Sequence, residues 1–307
     1  MKKYLLSGLS ALAFFTSFTL AAQTPYDAIM MKRKEFCFAL TYEQGSWDHY
    51  WEGTYLRTNQ TVATVSRRIV MPMLAIGISD KLNLIVAVPY VKTKSSEPNG
   101  GKFQGAQGFQ DLTIALKYEI LNKQVEKGKL SLLTTGGYGT PITNYLSDYR
   151  PYSIGNGTNE FSLRAIAQYR LDKGPYLKMM GGHLFRGQTK AERDYYYNNG
   201  SYYTPWMDVP DAWEYCVAAG VWMLDNSLKL EANYYSLKST SGDDVRYYNA
   251  AQPTNKVQFD QVGFVAQYYI KSIKGFGALA YASQVVNGRN WGKFTSFGFG
   301  ATYQFKL

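Results

Sequence analysis

Apolar and polar residues alternate strictly in several stretches of the chain. In the C-terminal stretch, every second residue from Phe297 to Leu307 is Phe, Ala, Tyr or Leu, and the residues between them are Gly, Thr, Gln and Lys. Strict alternation over this length predicts a β-strand with one apolar and one polar face. Similar stretches begin at Phe36, Leu82, Leu112, Phe161, Trp213 and Val262. Each has about the length at which a tilted strand crosses a bilayer.

The connections between these stretches alternate in length. Short turns lie at 79–81, 122–128, 172–175, 225–227 and 271–275, and long polar connections lie at 44–60, 94–108, 139–159, 187–211, 239–256 and 285–293. A soluble β-sandwich gives no reason for this regularity, whereas outer-membrane barrels have short periplasmic turns and long external loops. The sequence therefore predicts an all-β protein, a transmembrane antiparallel up-and-down β-barrel of about twelve strands with both termini in the periplasm.

The N-terminal residues have the layout of a secretory signal peptide. Lys2 and Lys3 precede an apolar run from Leu5 to Leu20, and small residues follow as far as Ala22. A retained membrane helix is the alternative, but the run is slightly short for one. No second apolar run of that length occurs in the chain. We therefore expect three segments: a cleaved signal peptide over 1–22, a periplasmic N-terminal segment over 23–34, and an outer-membrane β-barrel over 35–307.

Composition fits a membrane barrel. Aromatic residues make up 16% of the chain, yet the mean hydropathy is −0.29, as expected where lumen-facing and lipid-facing residues alternate. The formal net charge is +10, but Lys and Arg are scattered among carboxylates, which argues against a nucleic-acid partner. The two cysteines, Cys37 and Cys216, are too few for a disulfide framework, so we expect free thiols.

One segment of about forty residues carries a family resemblance. A strand enters a tight turn at Asp80, the next strand ends in Pro89-Tyr90, and Gly108 with Asp111 follows a glycine-rich stretch. This order resembles the outer-membrane β-barrel family named "putative meta-pathway of phenol degradation". The resemblance implies a passive channel or uptake protein for small molecules, with the motif at Asp80, Pro89, Tyr90, Gly108 and Asp111. No N-terminal domain that could plug the barrel precedes the first strand.

An outer-membrane enzyme is the rival interpretation. A barrel phospholipase needs Ser, His and an orienting Asn on the barrel exterior, but Asn59 and Arg193, rather than serines, stand ten residues after His49 and His183. His49 follows Asp48, a pair that a protease-like site could use. The sequence shows no Cys–His cluster and no HExxH motif, so we predict no metal site and no cofactor. Catalysis remains the minority interpretation.

The lumen is the predicted functional site. Charges facing lipid would cost about 2–4 kcal/mol for Arg or Lys at the bilayer midplane, so charged strand residues should point inward. The predicted lumen-lining residues are Arg67, Asp111, Lys117, Glu119, Arg164, Gln168, Arg170, Glu214, Lys229 and Glu231. Met71, Met73, Ile85, Ile166 and Trp222 fall on the same face, which favours a small, weakly apolar or aromatic solute moving by passive diffusion. A closed structural barrel, filled by buried ion pairs, is the alternative.

Three classes of partner follow from this interpretation. The apolar strand faces predict contact with outer-membrane lipids. The aromatic-rich C-terminal strand, which ends at Leu307, resembles the signal recognised by the barrel-insertion machinery. The third partner is a small-molecule solute that the sequence does not identify.

Overall fold

The structure, a computed structural model, describes residues 23–100, 102–246 and 250–307. The predicted signal peptide lies outside the described residues. One closed antiparallel sheet dominates the part of the chain that is described, which confirms the all-β barrel. Within the same residues, no helix is long and apolar enough to cross a membrane.

Fourteen segments of the sheet combine into twelve barrel strands, because two strands are each interrupted once. The strands are β1 Glu35–Trp47, β2 Val65–Ser79, β3 Leu82–Ala87 with Tyr90–Asn99, β4 Phe103–Phe109 with Asp111–Val125, β5 Gly128–Pro141, β6 Glu160–Leu171, β7 Pro175–Arg186, β8 Ala212–Met223, β9 Leu228–Ser239, β10 Gln258–Tyr269, β11 Phe276–Arg289 and β12 Thr295–Lys306. Each strand pairs with its neighbours in sequence, and β1 pairs with both β2 and β12. This closes the barrel and leaves no open sheet edge.

The two faces of the barrel wall are reversed relative to a soluble protein. Outward-facing apolar side chains are exposed, for example Phe299 at 58% and Leu163 at 51%, whereas the inward-facing Lys117 and Glu214 are both at 0%. An exposed apolar surface of this extent is stable only against lipid. Across the closing seam, the rings of Phe36 and Phe305 stack with centroids 5.3 Å apart. The alternation read from the sequence therefore gives the correct register of the wall.

The interruption of β3 lies at Val88 and Pro89. Proline has no backbone N–H, so it cannot continue the ladder on both sides of a strand. The first piece of β3 pairs with β4 up to Ala87, and pairing with the other piece of β4 resumes at Tyr90. Between them, the backbone N–H of Gln110 donates to the carbonyl oxygen of Pro89 at 2.9 Å. The wall therefore carries an irregularity at a motif residue of the predicted family.

The predicted short turns are present at one end of the barrel, but two of the predicted long loops differ. Residues 94–108 are mostly strand, because β3 continues to Asn99 and β4 begins at Phe103. Similarly, β11 runs to Arg289, which shortens the last connection to residues 290–294. These strand ends carry polar residues or glycine on both faces, so they lack the apolar alternation by which strands are recognised.

Candidate functional site

The segment that precedes β1 lies inside the barrel. Gln23 and Met31 are almost fully buried. Met31 and Ile29 pack against apolar side chains of β1 to β4, such as Ile85, while Ala28 and Met30 pack against those of β5 to β8, such as Ile166. The segment thus touches both walls. The expectations that residues 23–34 lie in the periplasm and that nothing plugs the barrel are wrong for residues 23–31, which we call the N-terminal plug.

Lys117 on β4 holds this plug in place. Its Nζ donates to the backbone oxygens of Thr24 and Asp27 and forms an ion pair with Asp27 Oδ1 at 2.8 Å. Asp27 Oδ1 also accepts the backbone N–H of Ile29 at 2.9 Å, and its Oδ2 accepts the N–H of Thr24 at 2.6 Å. These local bonds form an Asp-centred turn. One inward-facing lysine therefore fixes the conformation of the whole turn.

Weaker contacts anchor both ends of the plug. Asn83 on β3 donates to the carbonyl oxygen of Met31 at 2.9 Å and accepts from the side-chain amide of Gln23 at 3.2 Å. In the middle, the guanidinium of Arg164 lies 4.6 Å from the ring centroid of Tyr26, a cation–π contact. All these contacts are noncovalent and none belongs to the barrel ladder.

The other buried charges form pairs within the wall. Arg164 on β6 meets Glu214 on β8 at 2.6 Å, and Glu214 also accepts the Tyr235 hydroxyl at 2.8 Å. Such pairs offset the large cost of removing each charge from water. Buried pairs of this kind are the arrangement that the closed-barrel alternative anticipates.

A second group centres on Glu231 of β9. Lys178 and Lys229 each approach this carboxylate at 3.1 Å, and the Tyr176 hydroxyl donates to it at 2.7 Å. Glu231 and Lys229 are among the predicted lumen residues, whereas Lys178 and Tyr176 are not. The even positions of β7 alternate with exposed Leu177 and Met179, so the same inward-facing rule would have found both.

The remaining predicted lumen residues lie apart from this centre. Arg67 donates to Gln110 at 3.3 Å and Asp111 accepts from Tyr145 at 2.5 Å. Glu119 accepts from Asn122 in an exposed contact. Arg170 binds Asn226 in the turn after β8 and lies over the Trp222 ring, while Gln168 is half-buried on β6. The ten residues therefore do not form one site.

The connection between β5 and β6 folds onto the inner side of β3 and β4. Tyr152 is fully buried there; its carbonyl oxygen accepts from Thr93 at 2.6 Å and its hydroxyl lies 2.8 Å from Ser95. A Cβ at Gly108 would stand 3.4 Å from Ile154 Cδ1, which is ordinary van der Waals contact, so the loop lies directly over this motif glycine. This loop narrows the extracellular side of the lumen, and the N-terminal plug narrows the other side.

The two histidines lie on different surfaces. His49 Nδ1 is 2.8 Å from Asp48 Oδ1 in an exposed hairpin of the first extracellular loop. His183 faces outward between the rings of Phe185 and Trp213, with centroids 4.4 and 4.5 Å away. In the described part of the chain, no three His, Cys, Asp or Glu side chains are arranged to hold a metal ion. Cys37 and Cys216 are unpaired and buried.

An acid-sensitive contact ties two extracellular loops together. Asp244 accepts from Nε and Nη2 of Arg289, both at 2.7 Å, and from the Asn290 amide at 2.9 Å. The hydrogen bond from Arg289, followed by that from Asn290, lowers the pKa of Asp244 from 3.8 to about 2. Because the folded-state pKa lies below the ordinary value, the contact stabilises the loops fully above pH 4 and loses this effect as the pH falls towards 2.

We therefore predict that residues 240–246 exchange their amide hydrogens more slowly than in an Asp244→Asn variant at pH 7, and that this difference is lost as the pH falls below about 4. The variant lacks the ionised carboxylate, so its exchange should already be fast at neutral pH and should then follow only the intrinsic pH dependence. Equal exchange in the two proteins at pH 7 would contradict the prediction.

Comparisons with known proteins agree with this architecture. The sequence matches, over residues 52–303, the family described as "Putative MetA-pathway of phenol degradation". The structure is similar to the COG4313 outer membrane channel from Pseudomonas putida F1, with a TM-score of 0.74 and 11% identity, covering 92% of this chain and 100% of that one. No curated protein sequence is a significant match.

Two further outer-membrane structures superpose less closely. The KdgM porin has a TM-score of 0.43 and 7% identity, covering 87% of this chain and 99% of that one. OccD3 from Pseudomonas aeruginosa has a TM-score of 0.38 and 9% identity, covering 92% of this chain and 95% of that one. The barrel fold shared with the COG4313 channel, together with the apolar outer face of the wall, confirms the predicted location in the bacterial outer membrane.

Proposed function

The chain belongs to the family described as "Putative MetA-pathway of phenol degradation", and from that membership we propose that it is an outer-membrane channel for small solutes with an apolar or aromatic part. One observation carries the proposal: the inner wall joins two apolar clusters, which include Ile85 and Ile166, to charges that are already paired. Such a wall offers contact to an apolar group and little attraction to a bare ion.

In the proposed mechanism, the N-terminal plug closes the resting barrel and moves when a solute passes. The plug is held by the Lys117–Asp27 ion pair and a few hydrogen bonds, whereas each strand is held by two full ladders. Elements with few anchoring contacts open at lower free energy than the core of a fold. A barrel of twelve strands is intermediate between filled eight-stranded barrels and open porins, so removing the plug leaves room for a narrow pore.

The paired charges and the plug also favour the second candidate, a closed structural barrel. Against an enzyme, His49 and His183 lie on separate surfaces, one in an exposed loop and one facing lipid. We further infer that β12 carries the signal for the barrel-insertion machinery, since four of its outward-facing side chains are aromatic, Phe297, Phe299, Tyr303 and Phe305.

Solute flux into liposomes tests the proposal. Benzenesulfonate, which is permanently charged and so does not cross lipid unaided, is compared with arabinose, a polar solute of similar size. We expect the purified barrel to admit benzenesulfonate faster than arabinose, and faster still when residues 23–31 are deleted. A variant with both histidines replaced by alanine should keep the flux. No flux above protein-free liposomes, even after deletion, would favour the structural barrel, and hydrolase activity lost with either histidine would indicate an enzyme.

A further inference from the structure

The connection between β7 and β8 forms a rigid arm on the extracellular side. Two small hairpins stand in series: Gln188–Lys190 pairs with Trp206–Asp208, and Tyr196–Tyr197 pairs with Ser201–Tyr202. The tip turns at Asn199, whose φ is +52°, and Gly200, residues typical of tight hairpin turns. The arm is therefore an ordered structure rather than a loose loop.

The base of the arm is fixed to the neighbouring extracellular loop. Met207 is fully buried in a small apolar cluster with Tyr196 and Ala191. The Thr189 hydroxyl donates to Ser147 at 2.8 Å, and Arg193 pairs with Asp148 at 2.8 Å. These contacts hold the outer face of the arm in one orientation, so its exposed side chains form a preorganised surface.

That face contains a cleft of about 430 Å³ whose lining is half aromatic and half polar. It is lined by Gln188, Tyr196, Tyr202, Thr204, Trp206 and Asp208. Trp206 is 49% exposed, and the Tyr196 and Tyr202 rings stack with centroids 5.1 Å apart. The Gln188 amide donates to Asp208 Oδ1 at 2.8 Å, which fixes the carboxylate at the edge of the cleft.

A second depression, of about 300 Å³, adjoins the cleft and shares Asp208 with it. Its lining is polar and includes Asn198, Asp211, Thr240 and Ser241. Because the two depressions meet at Asp208, we call them together the groove, with aromatic rings on one side of Asp208 and hydroxyl, amide and carboxylate groups on the other. The groove lies outside the lumen, so the proposed channel function does not account for it.

We propose that this groove binds a neutral oligosaccharide. A pyranose ring has an apolar face of C–H groups and an edge of hydroxyls, so it matches an exposed aromatic ring beside fixed polar groups. In this arrangement Trp206 and Tyr202 contact the sugar face, and Asp208 accepts from its hydroxyls. Asp208 and Asp211 repel a sugar carboxylate, which sets the preference for neutral units. A purely aromatic ligand would leave the polar part of the groove unpaired with anything but water.

The probes for the test are neutral hexose oligosaccharides of two to four units, matched uronic-acid oligosaccharides, and the neutral outer-core hexose oligosaccharide of lipopolysaccharide, free of acidic sugars and phosphate. Binding to the purified full barrel is followed by tryptophan fluorescence and by saturation-transfer NMR. We expect at least one neutral probe to bind. The dissociation constant of that probe should rise about tenfold in Trp206→Ala and stay near the wild-type value in Trp206→Phe, since a flat ring remains. Tyr55→Ala is the matched control, because Tyr55 is 70% exposed in a different loop.

Each outcome has a defined meaning. Binding of free hexose oligosaccharides indicates a captured soluble sugar, and binding of the neutral outer-core oligosaccharide alone indicates a membrane glycan as the natural ligand. Absence of binding to every probe overturns the proposal. Preference for the uronic-acid probes, or an equal loss in Tyr55→Ala, also overturns it. The heat-induced shift in electrophoretic mobility shows that each variant is a folded barrel, and solute flux shows that the lumen is unaltered.

Discussion

Deleting residues 23–31 is expected to raise the single-channel conductance of the barrel severalfold. These residues contact both apolar walls and fill the space that an ion would cross, while the strand ladders begin only at Glu35. The deletion therefore removes the obstruction without removing any ladder hydrogen bond. Conductance in planar bilayers measures the effect directly, and the size of the increase depends on the width of the emptied pore.

A point substitution at the anchor should act in the same direction. Lys117→Met removes the cation that binds Asp27 and leaves a carboxylate inside the barrel without its ion-pair partner, which favours release of the plug into water. We expect longer and more frequent open states than in the wild type. Lys173→Met is the matched control, since Lys173 is an exposed lysine of the turn after β6. Unchanged conductance in both the deletion and Lys117→Met would mean that residues 23–31 do not close the lumen.

The second large effect is expected for stability. Glu214→Ala leaves Arg164 buried opposite an empty position, and their side chains are only 1% and 6% exposed. Breaking a buried pair by removing one partner costs about 3–5 kcal/mol, whereas replacing both partners with apolar groups of similar volume is near neutral. Urea-induced unfolding in lipid vesicles should therefore show a strongly destabilised Glu214→Ala and a near-normal Arg164→Met/Glu214→Leu double variant.

A half-exposed pair provides the control for this comparison. Glu160 and Arg186 lie 2.8 Å apart, but the Glu160 side chain is 31% exposed. Water replaces much of such an interaction, so Glu160→Ala should cost only about 1 kcal/mol or less. Equal losses for Glu160→Ala and Glu214→Ala would contradict the buried pairing. If Glu214→Ala instead changes the ion selectivity without destabilising the barrel, Glu214 lines a lumen surface that is open to solute.

The wall of the barrel could be predicted from the sequence because lipid imposes a simple rule. Outward residues within the membrane must be apolar, so a period of two runs through the membrane-spanning part of a strand, as from Phe297 to Phe305, and identifies its outward face. The same rule identified Lys117, Arg164 and Glu214 as inward-facing. Their partners on other strands could not be predicted, because pairing across the barrel depends on strand order, stagger and side-chain reach.

The plug could not be predicted from the sequence for a related reason. Residues 23–31 follow no strand or helix period, and Asp27 and Thr24 are as typical of a solvated turn as of a buried one. Only the three-dimensional structure distinguishes a buried turn from a solvated one, because it places Asp27 against the inward-facing Lys117. The aromatic arm after β7 presents a similar difficulty, since its tyrosines mark an exposed loop in the sequence, and the cleft between them arises from two hairpin pairings.

We propose that the N-terminal plug closes the lumen and moves when solute passes. The side chains of Gln23 and Asn83 are 3.2 Å apart. After Cys37 and Cys216 are replaced by alanine, the substitutions Gln23→Cys and Asn83→Cys allow the plug to be tethered to the wall by a short linker that a reductant cleaves. Benzenesulfonate flux into liposomes is then measured before and after reduction. We predict that the tethered barrel conducts almost nothing and recovers the flux of the untethered protein on reduction. Equal flux in the tethered and reduced states would contradict the claim.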